Sequence, residues 1–579
     1  MYYLKLLYAA SAIGLSLAAG DSAEASNKPP NIVFILTDDQ DLQMDSLSYM
    51  PLLDKYIRQK GTFYARHYCT TAICCPARAS ILTGKMAHNH NVTDTAAPFG
   101  GYPKVIAEGI NDNYLPHWLQ DTGYDTYYVG KLWNAHSIEN YDKPYAKGWN
   151  GSDFLLDPYT YEFYNPTMSR NSGKPVTYNG SYSTDLIADK SLGFIDEAVQ
   201  SSRPFFLGIA PVAPHSDVHF TGEDDANGIP EVVTSPPFPA ERHKNLFADV
   251  VVPRTPHFNP ETPSGVYWVR DLPRLNQTHI EFNDWYYRQR LRSLQSVDEM
   301  IEALVGKLEE HGILDNTYIV FTTDNGFHVG QHRLQPGKYC PFEEDVHIPL
   351  LIRGPSVAEN ETAEIVTTHT DLAATFLSMA QGKLREDFDG ERIPLTKDGI
   401  VAAKGDRYEH VQVEYWGFAL SESKYRYEGR RIPNNTYKAL RVIGEHYNIY
   451  YSVWCNNEHE LYDMKTDPYQ LHNIYTTSNS ERMYEKSSFL DRPISAVIER
   501  LDALTMVLKI CRAEGCVKPW KLLHPNGKVS NLREAMHPKF DKFYKHNIPN
   551  VKYDHCAEGY FLELEGPRFD SSMSFMHST

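Results

Sequence analysis

Short, uninterrupted apolar runs alternate with stretches of helical periodicity over the first two-thirds of this chain. Asn31-Ile-Val-Phe-Ile-Leu36 is followed at once by Thr37-Asp38-Asp39-Gln40. An apolar run that ends abruptly in polar residues predicts a central strand buried on both faces. Similar runs occupy residues 125–129, 205–209, 317–322 and 348–352. Leu291, Leu294, Val297, Ile301, Leu304, Val305 and Leu308 recur at helical spacing before Gly312, predicting a helix with one buried stripe. Strands alternating with helices predict an α/β fold, a large and mostly parallel sheet between helices. Sites in such sheets gather at the carboxyl ends of the strands. Asp38, Lys131, His215 and Asp324 each fall just after an apolar run, so the pattern brings them to one edge.

Elsewhere the pattern changes. Residues 217–280 are rich in Pro, His and Asp and lack strong periodicity, which predicts a long irregular insertion that shapes the substrate site. Beyond residue 396, residues 411–416, 437–442, 447–454 and 460–462 read as antiparallel strands, and residues 493–508 as a helix. This predicts a catalytic domain over 28–395, a smaller C-terminal antiparallel-sheet subdomain over 396–517, and an extended tail over 518–579.

Composition narrows the function. The chain has 579 residues, 42% apolar and 22% charged, and a formal net charge of −18. Such a charge disfavours nucleic acid and anionic membranes as partners. An anionic substrate would need a local cationic pocket. Residues 1–20 have a basic start, an apolar stretch and small residues near 18–20, the pattern of a signal peptide. The apolar stretch is too short for a good membrane span. Sequons at Asn91, Asn150, Asn179, Asn276, Asn360 and Asn434 agree with passage through the secretory pathway, to the outside or to a lysosome- or vacuole-like compartment. Of eight cysteines, Cys511 and Cys516 are close enough in sequence to close a small loop. Cys75 is read as disulfide-forming, the ordinary use of cysteine in a secreted chain.

Several residues carry candidate chemistry. Adjacent carboxylates at Asp38 and Asp39 repel unless a cation lies between them. Asp324-Asn325-Gly326, also at a strand end, adds two oxygen donors and a turn. Together these four side chains suit a hard divalent ion such as Ca²⁺. Pro76 fits the first turn of a helix running through Leu82, which puts Cys74 at a helix N-terminus that favours anions, with Arg78 one turn on. Lys131 and His215 follow strands, and Lys338 lies in a loop before the run at 348–352.

The ordered series Thr37-Asp38-Asp39-Gln40, Cys74-Cys-Pro-Ala-Arg78, Gly130-Lys131, Ala-Pro-His215, Asp324-Asn325-Gly326 and Lys338 resembles the type I, formylglycine-dependent sulfatases from about residue 30 to 517. The segment Cys74 to Lys85 followed by His88-Asn-His90, together with residues 348–354 and 460–473, is similar to the branch of N-acetylglucosamine-6-sulfatases and secreted arylsulfatases. The resemblance implies an alkaline-phosphatase-like fold and hydrolysis of sulfate monoesters on a sulfated small molecule or glycan. It implies that Cys74 is converted to formylglycine by a formylglycine-generating enzyme, and that the hydrate of this aldehyde attacks sulfur. It implies one Ca²⁺ held by Asp38, Asp39, residue 74, Asp324 and Asn325. It further implies that Arg78 stabilises the nucleophile, that Lys131, His215 and Lys338 bind sulfate, and that His215 or a lysine protonates the leaving oxygen. Many relatives carry His two residues beyond the strand-end lysine. Here Trp133 stands there, and Asn134 is assigned part of that role. Two competing readings are a phosphonate or phosphate monoester hydrolase of the same superfamily, and a non-catalytic protein that binds sulfated glycans.

Overall fold

The computed structural model describes residues 28–224, 230–425, 427, 431–475 and 488–575. The proposed signal peptide lies outside them. A ten-stranded sheet forms the body. Its strands are β1 (Asn31–Thr37), β2 (Gly61–Tyr68), β3 (Asp125–Gly130), β4 (Gly151–Leu155), β5 (Thr167–Arg170), β6 (Val176–Thr177), β7 (Phe205–Ala210), β8 (Thr317–Thr323), β9 (Leu350–Arg353) and β10 (Glu361–Thr368). The order is β10-β2-β9-β8-β1-β7-β3-β4-β5-β6. The five central strands, β8 to β4 in that order, are mutually parallel. The predicted strand at 348–352 forms as β9 but runs antiparallel to both neighbours.

Alternation along β1 builds two cores. Ile32, Phe34 and Leu36 enter one apolar cluster, and Val33 and Ile35 enter the other, on the opposite sheet face. That is why the run is apolar without a break. The second cluster is covered by the predicted helix, which extends from Gln277 to Glu310, longer than its apolar stripe suggested. Asn276 caps it, accepting from the His279 backbone N–H at 3.0 Å.

The insertion is less irregular than expected. It contains a hairpin, Asp217–Asp224 paired with Pro230–Ser235, and the start of that long helix. Phe220 and Val233 are exposed in this hairpin, so no alternation of buried apolar and exposed polar residues marks it.

The C-terminal strands pair antiparallel as His410–Tyr415, Tyr437–Ile443, Asn448–Trp454 and His459–Asp463, with the edge order following the chain. Leu440 and Val442 pack under the helix Ile494–Leu508, whereas Tyr437 and Ala439 face Ile73, Tyr339 and Phe342 of the catalytic part. One sheet thus joins two cores. The expected extended tail is instead folded. Residues 519–547 form short helices whose Trp520, Leu523, Leu532, Phe540 and Tyr544 complete the core beneath Ile494–Leu508. A Cys455–Cys556 disulfide ties this segment to the sheet, and Cys511–Cys516 closes the small loop. Cys75 forms no disulfide: it is a buried free thiol in the apolar cluster on one sheet face. Among the described residues no helix is long and apolar enough to cross a membrane.

Candidate active site

Strand register assembles the site. β1 and β8 pair in parallel from Asn31 with Thr317 to Thr37 with Thr323, so Asp38 and Asp324 leave the sheet side by side. Lys131 leaves β3 next to Ala210 of β7, donating its backbone N–H to that carbonyl at 3.0 Å, and His215 follows five residues after Ala210. Asp39 adopts a left-handed conformation (φ 65°) that turns its carboxylate back over the sheet edge.

Cys74 begins the helix Cys74–Thr83, with Pro76 in the first turn and Gly84 closing the far end at φ 67°. Its Sγ lies 3.4 Å from Asp38 Oδ1, 4.0 Å from Asp39 Oδ1 and 3.4 Å from Lys338 Nζ. Burial, then the neighbouring Asp38 carboxylate, push this thiol well above its ordinary pKa, which keeps it protonated. Arg78 spans the carboxylates: Nε donates to Asp324 Oδ2 at 2.8 Å, and a terminal nitrogen lies 3.4 Å from Asp38 Oδ2.

Asp38 and Asp39 each have a lysine. Lys131 Nζ sits 2.5 Å from Asp38 Oδ2, and Lys338 Nζ sits 2.6 Å from both oxygens of Asp39. Burial opposes ionisation of Asp38, but Lys131, His215 and Arg78 outweigh it and hold the carboxyl down to about 2. His215 directs Nε2 towards Asp39 Oδ2 at 3.5 Å, while Nδ1 bonds the Ser216 carbonyl at 2.8 Å, so the proton of the neutral ring sits on Nδ1. Burial and then Lys338 pull this imidazole down to about 4.

The predicted residues therefore converge, Lys338 included, although its loop carried no strand-end signal. Asn134 stands one shell back and donates to the Tyr161 hydroxyl at 2.7 Å. Trp133 is core, packed in the apolar cluster with Tyr114 and Leu132. Three residues escaped the sequence reading. The Tyr161 ring stacks on His215 at 4.3 Å and lies under Lys131 Nζ at 4.7 Å. Arg290, on the long helix, donates to the Asp39 carbonyl at 2.6 Å and the Pro214 carbonyl at 3.1 Å. An arginine four residues before Leu294, on the helix's buried stripe, was a readable signal. Glu422 arrives from the C-terminal part and lies 3.3 Å from Lys338 Nζ, and no motif marks it.

The sulfatase family model matches residues 30–382. The chain belongs to the sulfatase family. A second model, the C-terminal region of N-sulphoglucosamine sulphohydrolase, matches residues 330–490 of this sulfatase. It is 39% identical to an arylsulfatase of Volvox carteri over 92% of its own length and 83% of the relative's. It is 30% identical to the N-acetylglucosamine-6-sulfatase of Capra hircus over 87% and 88% of the two chains. Among solved structures, one in complex with its substrate D-glucosamine-2-N,6-O-disulfate superposes with a TM-score of 0.61 at 23% identity, covering 79% of this sulfatase and 96% of that chain, a likeness of fold. The family comprises sulfuric ester hydrolases that use formylglycine and a metal ion. Most of the predicted donor set fits such an ion, with His215 beside it, whereas Asp324 gives its oxygens to Arg78 and to the Asp39 and Asn325 backbone N–H groups. Ligand atoms of Asp38, Asp39, Cys74 and His215 lie within 4.8 Å of one another. Asn325 donates Nδ2 to Asp39 at 2.7 Å, while its Oδ1 is buried with no hydrogen-bond partner. An orphaned buried acceptor beside two carboxylates is what a hard cation would satisfy.

Proposed function

We propose that this chain hydrolyses sulfate monoesters of a sulfated small molecule or glycan, releasing inorganic sulfate, with residue 74 acting as formylglycine and one Ca²⁺ in the site. The observation that carries the reading is the buried convergence of Cys74 with the carboxylates of Asp38, Asp39 and Asp324 and the cations of Arg78, Lys131 and Lys338. Asp38, Asp39, Asp324 and Asn325 would hold the ion, which supplies Lewis-acid stabilisation of an anionic nucleophile. As formylglycine hydrate, residue 74 would supply one hydroxyl for attack on sulfur and a second through which sulfate is expelled and the aldehyde restored.

This chain's own side chains do the rest. Residue 74 sits at a helix start, where free N–H groups favour an incoming anion. Arg78 holds Asp324 and Asp38 in place. The ammonium groups of Lys131 and Lys338 are the donors for sulfate oxygens, and one of those lysines, or His215 once substrate binding has protonated its Nε2, moves the proton to the leaving oxygen. Tyr161 fixes the plane of His215 by stacking and supports the Lys131 ammonium on its ring face, and Asn134 holds Tyr161 by its hydroxyl.

Maturation by a formylglycine-generating enzyme in the secretory pathway belongs to this reading, with a secreted or lysosome- or vacuole-like destination. Exposed sequons at Asn150, Asn179, Asn276 and Asn360 agree with it. The test is turnover of matched aryl sulfate and aryl phosphate esters by matured protein. Faster sulfate release supports the reading. Preference for phosphate, or binding of sulfated oligosaccharide without turnover, would contradict it.

A further inference from the structure

Lys338 lies between two carboxylates. Its ammonium bonds both oxygens of Asp39 at 2.6 Å and lies 3.3 Å from Glu422 Oε1. Glu422 is not adventitiously placed. Its residue exposure is 4%. Its Oε2 accepts from Ser216 Oγ at 2.7 Å, and that hydroxyl is shared with Tyr286 OH at 2.6 Å. Its backbone N–H donates to the Pro336 carbonyl at 2.8 Å, and the preceding Ser421 bridges Gly337. The loop that carries Lys338 and the segment Ser421–Glu422 are therefore one hydrogen-bonded unit. Each carboxylate oxygen of Glu422 has its own partner, so the group is fixed in direction as well as position.

A fourth buried carboxylate, after Asp38, Asp39 and Asp324, is costly in a site meant for an anionic substrate, unless it has a partner of its own. Resting on the calcium reading, Asp39 must give its oxygens to a divalent ion, and an ammonium on the same oxygens competes with that ion. Glu422 offers this ammonium another anionic acceptor. We infer that Glu422 is a positioning residue: it draws the Lys338 ammonium off Asp39, so that Asp39 can hold the cation while Lys338 remains in the pocket to meet sulfate. Lys131 differs: its ammonium pairs with Asp38 and lies over the Tyr161 ring, and the other carboxylate that acts on it, Asp324, is paired with Arg78. The C-terminal subdomain would thus take part in assembling the centre through a residue that touches neither the ion nor the reacting atoms.

The test is calcium titration by calorimetry of chelator-stripped, full-length protein, with circular dichroism to verify folding. Glu422→Gln is expected to weaken calcium binding about tenfold, the size of a close buried coupling. Glu422→Asp, which keeps the charge, should recover part of the loss and serves if the glutamine variant does not fold. In a Lys338→Met background, where no ammonium competes, either change should have little further effect. A Glu422 variant that binds calcium as tightly as the native chain would overturn the inference. So would equal losses with and without Lys338, because they would mean that Glu422 acts only as a distant charge. If the native chain binds no calcium, the reading of Asp39 as a ligand falls as well, and that outcome is distinct from the others.

Discussion

Lys131 and Asp38 form an ion pair of 2.5 Å in which neither side chain is exposed to solvent. Sheet register makes the pair: Asp38 follows β1 and Lys131 follows β3, parallel strands that flank β7 and end at the same edge. Truncating one partner of such a buried pair costs about 3–5 kcal/mol, because the other charge is left without compensation. Lys131→Met is therefore expected to lower the melting temperature of calcium-free protein. It should also reduce kcat/KM for an aryl sulfate by about a hundredfold or more, the cost of losing one donor at a developing charge. Melting curves and steady-state kinetics check both effects. An unchanged kcat/KM would remove Lys131 from the sulfate site.

Cys74 and Cys75 are neighbours with opposite fates. Cys74 faces the carboxylates, whereas Cys75 packs in the core on one sheet face. Cys74→Ala is expected to abolish turnover and leave the fold intact by circular dichroism. Cys75→Ala should retain most turnover and lose about 1 kcal/mol of stability, the cost of a small cavity. Reversed phenotypes would reassign the nucleophile.

Calcium removal tests the donor set. A ligand present at a hundredfold excess over its Kd stabilises the native state by about 2.7 kcal/mol. Chelation should lower the melting temperature and abolish activity, with both restored by added calcium. Asn325→Leu, which removes the orphaned Oδ1, should blunt the calcium response. A melting temperature indifferent to chelator and calcium would count against the cage.

How much of this was legible in the sequence depends on which interaction carried the information. The run 31–36 could be read as a doubly buried strand because both sheet faces demand apolar side chains, and its register then fixed Asp38 and Asp324. Antiparallel pairing of Leu350–Arg353 was not readable, since a short buried run has no direction. The hairpin of Asp217–Asp224 and Pro230–Ser235 was missed because Phe220 and Val233 are as exposed as His219 and Thr221, so no alternation of buried apolar and exposed polar residues marks it. The tail was misjudged because its apolar residues are spread over several short helices, and their shared core appears only once the antiparallel sheet is in place. Tyr161 and Glu422 were invisible for a similar reason: long-range packing, not spacing, brings them to the site.

Acid should affect the C-terminal core in a definite direction. Burial pushes the Glu409 carboxyl up to about 7 from an ordinary 4.5, despite hydrogen bonds from Tyr447, Leu532 and Trp520. A folded-state pKa raised above the unfolded one means that the folded protein binds a proton more readily. The stabilising preference is complete below about 4.5, is lost as pH rises to about 7, and is absent above that. Glu409→Gln cannot titrate. Its stability relative to the native chain should therefore rise between pH 4.5 and 7 in paired denaturant melts. A constant difference across that window would show that the carboxyl is not protonated in the folded state.

The central claim is that residue 74 works as an aldehyde and not as a thiol. The most direct measurement is mass spectrometry of the tryptic peptide spanning residues 67–78, taken from secreted protein that releases sulfate from an aryl ester. The account predicts a residue-74 mass matching formylglycine, capture of that peptide by a carbonyl-reactive probe, and an unmodified cysteine at 75. Finding only cysteine at position 74 in protein that is turning over sulfate ester would contradict it.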